Sequence, residues 1–232
     1  MNIFIEKINS KNLIITGQDF DHLKVRRQKQ GQFFKIVETQ GDSYCEAELV
    51  NFGKKEAEFK VKQIFKKKTK KTQIVLYQAI IKKSNMELIV QKATELGVDR
   101  IIPVVTERVS EQGTLNMTRL AVIARESAMQ SERLDIPEVL EPINFLDAVK
   151  ADNFFCLGER TTGKNIKDLM LMLPPCPNIA VFIGPEGGFS EKEFSVLQAN
   201  YVPIVSFGES IMRSETSAIA VLSVIRCFCL AE

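Results

Sequence analysis

Three short stretches at the ends of apolar runs carry glycine beside charged residues. They are Leu157-Gly158-Glu159, Gly184-Pro185-Glu186-Gly187-Gly188 and Phe207-Gly208-Glu209-Ser210-Ile211-Met212-Arg213. Glycine at a strand end lets a ligand approach the backbone without meeting a Cβ. Ordinary turn chemistry would explain one such loop. Three in one half of the chain, with Arg213 and Glu215 beside the third, predict a cleft. The sequence has neither G-x-x-x-x-G-K-[ST] nor G-x-G-x-x-G, which sets aside P-loop NTPases and the usual dinucleotide fingerprint. Pro185 has no backbone N–H to give a phosphate. Backbone contacts to an adenine or ribose fit this loop better than a wrapped pyrophosphate.

Other chemistries are poorly supplied. A single histidine, His22, excludes a multi-histidine zinc site and leaves one imidazole for any Ser-His-Asp triad. His22 reads as a surface or turn residue. Five cysteines without a CxxC pair, in a chain read as cytosolic, point to reduced thiols rather than a disulfide framework. Cys227 and Cys229, at the end of an apolar run, read as core packing. No metal site is expected.

The elements that must position the loops fall into two groups. The first 65 residues read as β. Strands are expected at Phe33 to Glu38, at Tyr44 to Phe52 with Cys45, Ala47 and Leu49 on one face, and at Glu56 to Phe65, where Ala57, Phe59 and Val61 alternate with charge. This predicts an antiparallel sheet or small barrel. The run Lys66-Lys67-Lys68-Thr69-Lys70-Lys71 marks a domain boundary and could also touch phosphate.

From Thr72 on, strands alternate with helices. Strands are expected at Gln73 to Ile81, Ile101 to Val105, Asn153 to Leu157, Ile179 to Ile183 and Val202 to Phe207. Helices are expected from a capping box at Ser84 with Glu87 to a stop at Gly97, over Met117 to Gln130, from a second capping box at Ser190 with Glu193 to Ala199, and from Ser214 to Leu230. The pattern predicts an α/β fold with a mostly parallel sheet, whose ligands sit at the carboxyl ends of the strands. Arg125, Glu126, Gln130 and Arg133 lie on one helix or just beyond it, and the last three, spaced four and three apart, share one polar face, near the site, at a dimer interface, or simply salt-bridged.

Composition agrees with a globular chain of one or two domains. Of 232 residues, 45% are hydrophobic and 26% charged. No apolar run reaches the roughly 18 residues of a membrane helix, and the start lacks the order of a signal peptide, so a cytoplasmic, non-membrane protein is expected. The net charge of +2 hides an asymmetry. Residues 1–71 hold 16 Lys/Arg against 9 Asp/Glu, and residues 72–232 hold 15 against 20, giving +7 and −5. A basic front segment suits a polyanion, although a solvated lysine-rich surface would look the same.

The string IGPEGGFSEKE (Ile183 to Glu193), followed by SFGESIMRSETSAIA (Ser206 to Ala220), resembles the ribosomal RNA small subunit methyltransferase E family. That family belongs to the SPOUT superfamily of S-adenosylmethionine-dependent, trefoil-knotted methyltransferases. It has a GPEGG-type loop and an LG-x-x-ILR-x-ETA-type segment, for which Phe207-Gly208, Ile211-Met212-Arg213 and Glu215-Thr216-Ser217 stand here. KKSNMELIVQKATELGV (Lys82 to Val98), Thr106-Glu107-Arg108, ARESAMQSERLDIPEV (Ala124 to Val139) and His22-Leu23 with Val25-Arg26-Arg27 are also similar to family segments, so the resemblance spans nearly the whole chain.

The resemblance implies a PUA-like β-barrel RNA-binding domain over 1–68 and a SPOUT domain with a deep trefoil knot over 72–232. It implies a homodimer, S-adenosyl-L-methionine as cofactor, and methylation of N3 of one uridine in 16S ribosomal RNA of the small subunit. With no histidine in the catalytic segment, Arg213 is the candidate to bind and polarise the uracil, and Glu186 and Glu215 are the candidate bases. The cofactor candidates are Leu157, Gly158, Gly184, Pro185, Glu186, Gly187, Gly188, Phe207, Gly208, Ile211, Met212, Arg213 and the Thr216 hydroxyl. Arg26, Arg27, Lys82, Lys83 and Arg108 are the RNA candidates. Two rival readings stay open: a non-catalytic RNA-binding or ribosome assembly factor, and a methyltransferase of the same superfamily acting on another RNA such as a tRNA.

Overall fold

The computed structural model describes residues 1–9, 11–25, 28–109, 115–151, 154–158, 165–168 and 178–230. It divides into two compact units, one of Met1–Thr69 with Ala128–Ile136, the other of Lys70–Ser127 with Pro137–Glu232.

The first unit is built on five strands: β1 (Asn2–Ile5), β2 (Asn12–Thr16), β3 (Phe33–Glu38), β4 (Ser43–Phe52) and β5 (Glu56–Lys66). Their order is β1-β3-β4-β5-β2, antiparallel except that β1 runs parallel to β3. The alternation seen in the sequence is the pleat: Cys45, Ala47, Leu49, Ala57 and Phe59 are fully buried on one face. Register shifts at Glu46/Ala47 and Leu49/Asn51 are bulges that bend and twist the β4–β5 ribbon.

Helix α1 (Gly17–Val25) overturns an all-β reading of this region. It buries Phe20 and Leu23, three residues apart, a helical spacing too brief to stand out beside the alternation around it. His22 therefore lies half-buried within a helix rather than in a turn or on the surface. The segment Ala128–Ile136 joins this unit through Ala128 and Met129, which pack on Phe4 and Val37. Asn2 Nδ2 donates to the Arg133 carbonyl at 2.6 Å, and Arg133 is itself paired with Asp135.

The second unit is α/β, with a wholly parallel sheet. Its strands are β6 (Gln73–Ala79), β7 (Arg100–Val105), β8 (Glu138–Val139), β9 (Ile143–Asn144), β10 (Phe154–Leu157), β11 (Asn178–Ile183) and β12 (Ile204–Val205). The order is β12-β10-β11-β6-β7-β8, with β9 also on β7. The helices are α2 (Lys83–Glu95), α3 (Met117–Gln130), α4 (Phe145–Ala151), α5 (Glu191–Ala199) and α6 (Ser214–Leu230). Strand β6 lies inside the sheet between β11 and β7, and Ile74 to Ala79 are all buried. Tyr77, Phe154, Phe182, Phe145 and Phe189 form a continuous aromatic cluster beneath the strand ends.

Helix α2 ends as its glycine predicts. Gly97 has φ +93°, its N–H reaches the Thr94 carbonyl, and the Val98 N–H reaches the Ala93 carbonyl, which is a Schellman motif. Its start differs from expectation. Lys82 is the N-cap and no side chain caps the helix, so Ser84 sits inside the first turn. The strand expected over Val202 to Phe207 forms only at Ile204–Val205, with a single further bridge from Ser206 to Asn165. Among the described residues no helix is long and apolar enough to cross a membrane.

Cys227 is exposed on α6, not packed in the core as its apolar neighbours suggested; the side chain of Cys229 lies outside the described ones. Cys45 and Cys156 are buried, and burial raises both thiols, Cys45 to about 11. A raised thiol is a poor nucleophile at neutral pH. Alkylation of the native protein at pH 8, read site by site by peptide mass mapping, is expected to modify Cys227 at once and to leave Cys45 and Cys156 unmodified until denaturant is added.

Candidate active site

Parallel pairing brings the three glycine loops to one place. Gln78 of β6 stands opposite Ile183 of β11, Cys156 of β10 opposite Phe182, and Leu157 opposite Val205 of β12. The four strands end at one level, so their following loops leave the sheet on the same side. Backbone bonds then fix the loops individually. The Gly158 N–H donates to the Val205 carbonyl at 2.9 Å and the Gly188 N–H to the Pro185 carbonyl at 2.9 Å.

A cavity of about 370 Å³ opens among them. Its wall includes Leu157 and Gly158 from the first loop, Gly184, Pro185, Glu186, Gly187 and Gly188 from the second, and Phe207, Gly208, Ile211 and Met212 from the third. Glycine is required at two of these positions for different reasons. A Cβ on Gly184 would lie 3.2 Å from the Phe189 ring, while Gly208 holds φ +110°, which side chains rarely adopt.

Several wall residues were not among the candidates from the sequence. Phe189 and Phe194 meet edge to face, with ring centroids 5.9 Å apart, and line the cavity together with Ile183, Ser206, Ser210, Ser214 and Ser217. An aromatic residue facing a cavity has the same local pattern as one facing a core.

Arg213, Glu215 and Thr216 do not line the cavity. They stand beside it at the start of α6, with Arg213 and Thr216 exposed and Glu215 half-buried. Among the described residues the buried Oε2 of Glu215 has no hydrogen-bond partner. Glu186 is exposed and accepts from the Lys82 N–H at 3.4 Å, which brings the start of α2 to the second loop. Lys82 and Lys83 are exposed there. Arg108 lines the cavity and donates from Nη1 to the Gly187 carbonyl at 2.9 Å. Arg26, Arg27 and Glu159 lie outside the described residues. Among the described residues no three His, Cys, Asp or Glu side chains gather as metal ligands.

Beneath the cavity a buried polar chain links three elements. Gln78 is fully buried at the end of β6, and its Nε2 donates to Ser214 Oγ at 3.0 Å. Ser214 Oγ donates to the Gly184 carbonyl at 2.7 Å. A hydroxyl has one proton, so Ser214 must accept from Gln78 and donate to Gly184. This polarity fixes the amide orientation and ties the start of α6 to the second loop. Ser214→Ala would leave the buried Gln78 amide and the Gly184 carbonyl each short of a partner. Urea unfolding is expected to show a loss of about 1–3 kcal/mol, and Ser214→Thr, which keeps the hydroxyl, is expected to recover most of it.

Residues 68–226 match the family model described as an RNA methyltransferase domain. A curated relative from Mesomycoplasma hyopneumoniae, a ribosomal RNA small subunit methyltransferase E, is 32% identical over 95% of this chain and 96% of its own. The Rickettsia conorii protein of the same name is 32% identical over 78% of this chain and 75% of its own. A methyltransferase of Legionella pneumophila, solved with bound S-adenosylmethionine, superposes with a TM-score of 0.84 at 26% identity, covering 97% of this chain and 96% of that one. With the three loops at one end of a parallel sheet and sequence similarity across both units, the chain belongs to the ribosomal RNA small subunit methyltransferase E family.

Proposed function

We propose that the protein transfers a methyl group from S-adenosyl-L-methionine to N3 of a specific uridine in 16S ribosomal RNA. The observation that carries this reading is the glycine-walled cavity at the carboxyl ends of β10, β11 and β12. Its volume lies within the roughly 300–1,000 Å³ of small-molecule sites. Main-chain groups, two aromatic rings and small serines on its wall suit an adenosine moiety. A Cβ at Gly184 would force the Phe189 ring to move, so the wall is shaped at atomic scale. The residues present therefore fit the cofactor, with Leu157, Gly158, Gly184, Pro185, Glu186, Gly187, Gly188, Phe207, Gly208, Ile211 and Met212 holding it.

When bound, S-adenosylmethionine supplies an electrophilic methyl group whose departure leaves a neutral thioether. Positioning the acceptor in line with it accounts for much of the rate. Uracil N3 also carries a proton that must be lost. Arg213 binds and polarises the uracil edge, its guanidinium matching a carbonyl oxygen as anionic charge develops on the ring. Glu215 and Glu186 are the bases available to take the proton. Glu215 sits in the first turn of α6 with one oxygen unpartnered among the described residues, and Glu186 sits at the cavity edge. Thr216 adds a hydroxyl next to them.

The domain roles belong to the same proposal. Residues 1–68 form a PUA-like barrel for RNA, supported by the positive charge of the front segment and by the bulged, twisted β4–β5 ribbon. Residues 72–232 form the SPOUT domain. Its trefoil knot is supported by the chain's return from edge strand β12 to the middle of the sheet, where Ser214 lies between Gln78 and Gly184. The protein acts as a homodimer in the cytoplasm. Arg26, Arg27, Lys82, Lys83 and Arg108 contact the RNA, and the target uridine turns out of its stack to reach the methyl group.

Mass spectrometry of 16S ribosomal RNA from cells with and without the gene is expected to show 3-methyluridine only with it. A methylated tRNA, or no change in any RNA, would favour the rival readings. Arg213→Ala is expected to lower turnover about 100-fold while leaving the S-adenosylmethionine affinity by calorimetry within about threefold, because Arg213 stands off the cavity wall. Near-normal turnover would remove Arg213 from the reaction. Replacing Lys82 and Lys83 with alanine is expected to flatten the salt dependence of RNA binding by about 0.7 in log–log slope for each phosphate the variant no longer neutralises.

A further inference from the structure

The side chains of Glu107, Ser190 and Glu193 are joined by hydrogen bonds at residue 107, next in sequence to Arg108, which lies on the cavity wall. Glu193 closes the α5 capping box through Oε2, which accepts from the Ser190 N–H at 2.8 Å. Its other oxygen accepts from the Glu107 N–H, also at 2.8 Å. Ser190 Oγ accepts from the Glu193 N–H at 3.2 Å and donates its one proton to Glu107 Oε2 at 2.5 Å. Residue 107 is thus held by both its backbone and its side chain. The next residue, Arg108, crosses to the second loop and donates to the Gly187 carbonyl at 2.9 Å. The loops after β7 and β11, whose strands flank β6, are fastened twice: at the base of α5 and at the cavity wall.

We propose that Arg108 is a latch that holds the glycine-rich turn 185–188 in the shape that binds the methyl donor, and that Glu107, Ser190 and Glu193 are positioning residues acting through it. The inference rests on the reading of the cavity as the S-adenosylmethionine site. An arginine has many rotamers, and fixing one costs entropy. The bonds at residue 107 fix the backbone from which the Arg108 side chain leaves, so that the Gly187 carbonyl stays within its reach. Gly187 has no side chain to fix its turn, so an external donor on its carbonyl supplies the constraint. Lysine could reach the carbonyl but lacks the planar guanidinium. The latch gives Arg108 an effect on the donor separate from any phosphate contact.

The test is a double-mutant cycle on the full chain. S-adenosylmethionine affinity is measured by calorimetry for the parent, Glu107→Ala, Arg108→Ala and the double variant. Glu107→Ala keeps the backbone link to Glu193, and Glu193→Gln serves as the second probe, since a carboxamide cannot accept two backbone N–H groups through separate atoms. Arg108→Ala is expected to weaken binding about tenfold, and Glu107→Ala or Glu193→Gln about fivefold. In the Arg108→Ala background the second substitution is expected to cost less than about twofold, because a residue that acts through Arg108 has nothing left to act on. Arg108→Lys is expected to recover part of the loss.

Equal costs in both backgrounds would show that Glu107 and Glu193 act elsewhere and would overturn the proposal. So would unchanged donor affinity in Arg108→Ala together with a flatter RNA salt slope, the mark of a phosphate contact. If the parent itself binds no S-adenosylmethionine, the cofactor reading falls, and the latch with it.

Discussion

Strands of a parallel sheet that end together leave their loops no choice of side, and the chemistry of this chain rests on that constraint. Gln78, Ile183, Leu157 and Val205 reach one level by backbone pairing alone. No attraction among the loops is needed to assemble them. What the loops need is definition, and short links supply it: Gly158 to Val205, Gly188 to Pro185, Ser214 to Gly184. The cost of burying Gln78 is partly offset by the two bonds its amide nitrogen donates, to Ala79 and to Ser214, while its Oε1 has no hydrogen-bond partner among the described residues. The buried polar group is the joint by which the last helix registers against the sheet.

How much of this could be read from the sequence depended on whether a signal was local. Helices α3 and α5 begin and end where periodicity and capping place them. Ser190 and Ser84 open the same S-x-x-E pattern, yet only Ser190 caps a helix. At Ser84 the chain turns helical one residue earlier, at Lys83, and nothing in the pattern distinguishes a cap from a first-turn residue. Strands β8, β9 and β12 have two residues each, too few to show any period. The grouping of Ala128–Ile136 with the first unit depends on contacts to Phe4 and Val37, more than 90 positions away, and is invisible to any local window.

The site divided in the same way. Glycines at strand ends are legible because a missing side chain is itself the signal. Phe189 and Phe194 are not, since an aromatic facing a cavity looks like an aromatic facing a core. Arg108 was visible as a charge, but its acceptor is a backbone carbonyl, which has no identity in a sequence. Glu193 is the clearest case. Its role in a capping box is written in the spacing, yet the spacing mentions one oxygen only. The second oxygen reaches a residue 86 positions earlier, so a local motif doubles as a tertiary clamp.

The placement of the ionisable groups also suits the proposed reaction. A sulfonium donor brings its own positive charge and loses it on transfer, so its leaving group requires no acid. The wall around it can then consist of carbonyls, glycines and rings, whose task is to hold the donor still. The acceptor has the opposite requirement. Uracil must shed a proton and carry transient negative charge, which calls for a cation and a base near the ring. Arg213 and Glu215 stand at the start of α6, off the cavity wall but adjoining Met212 and Ser214, which are on it. Under the proposed reaction, keeping these two groups off the wall separates the handling of donor and acceptor.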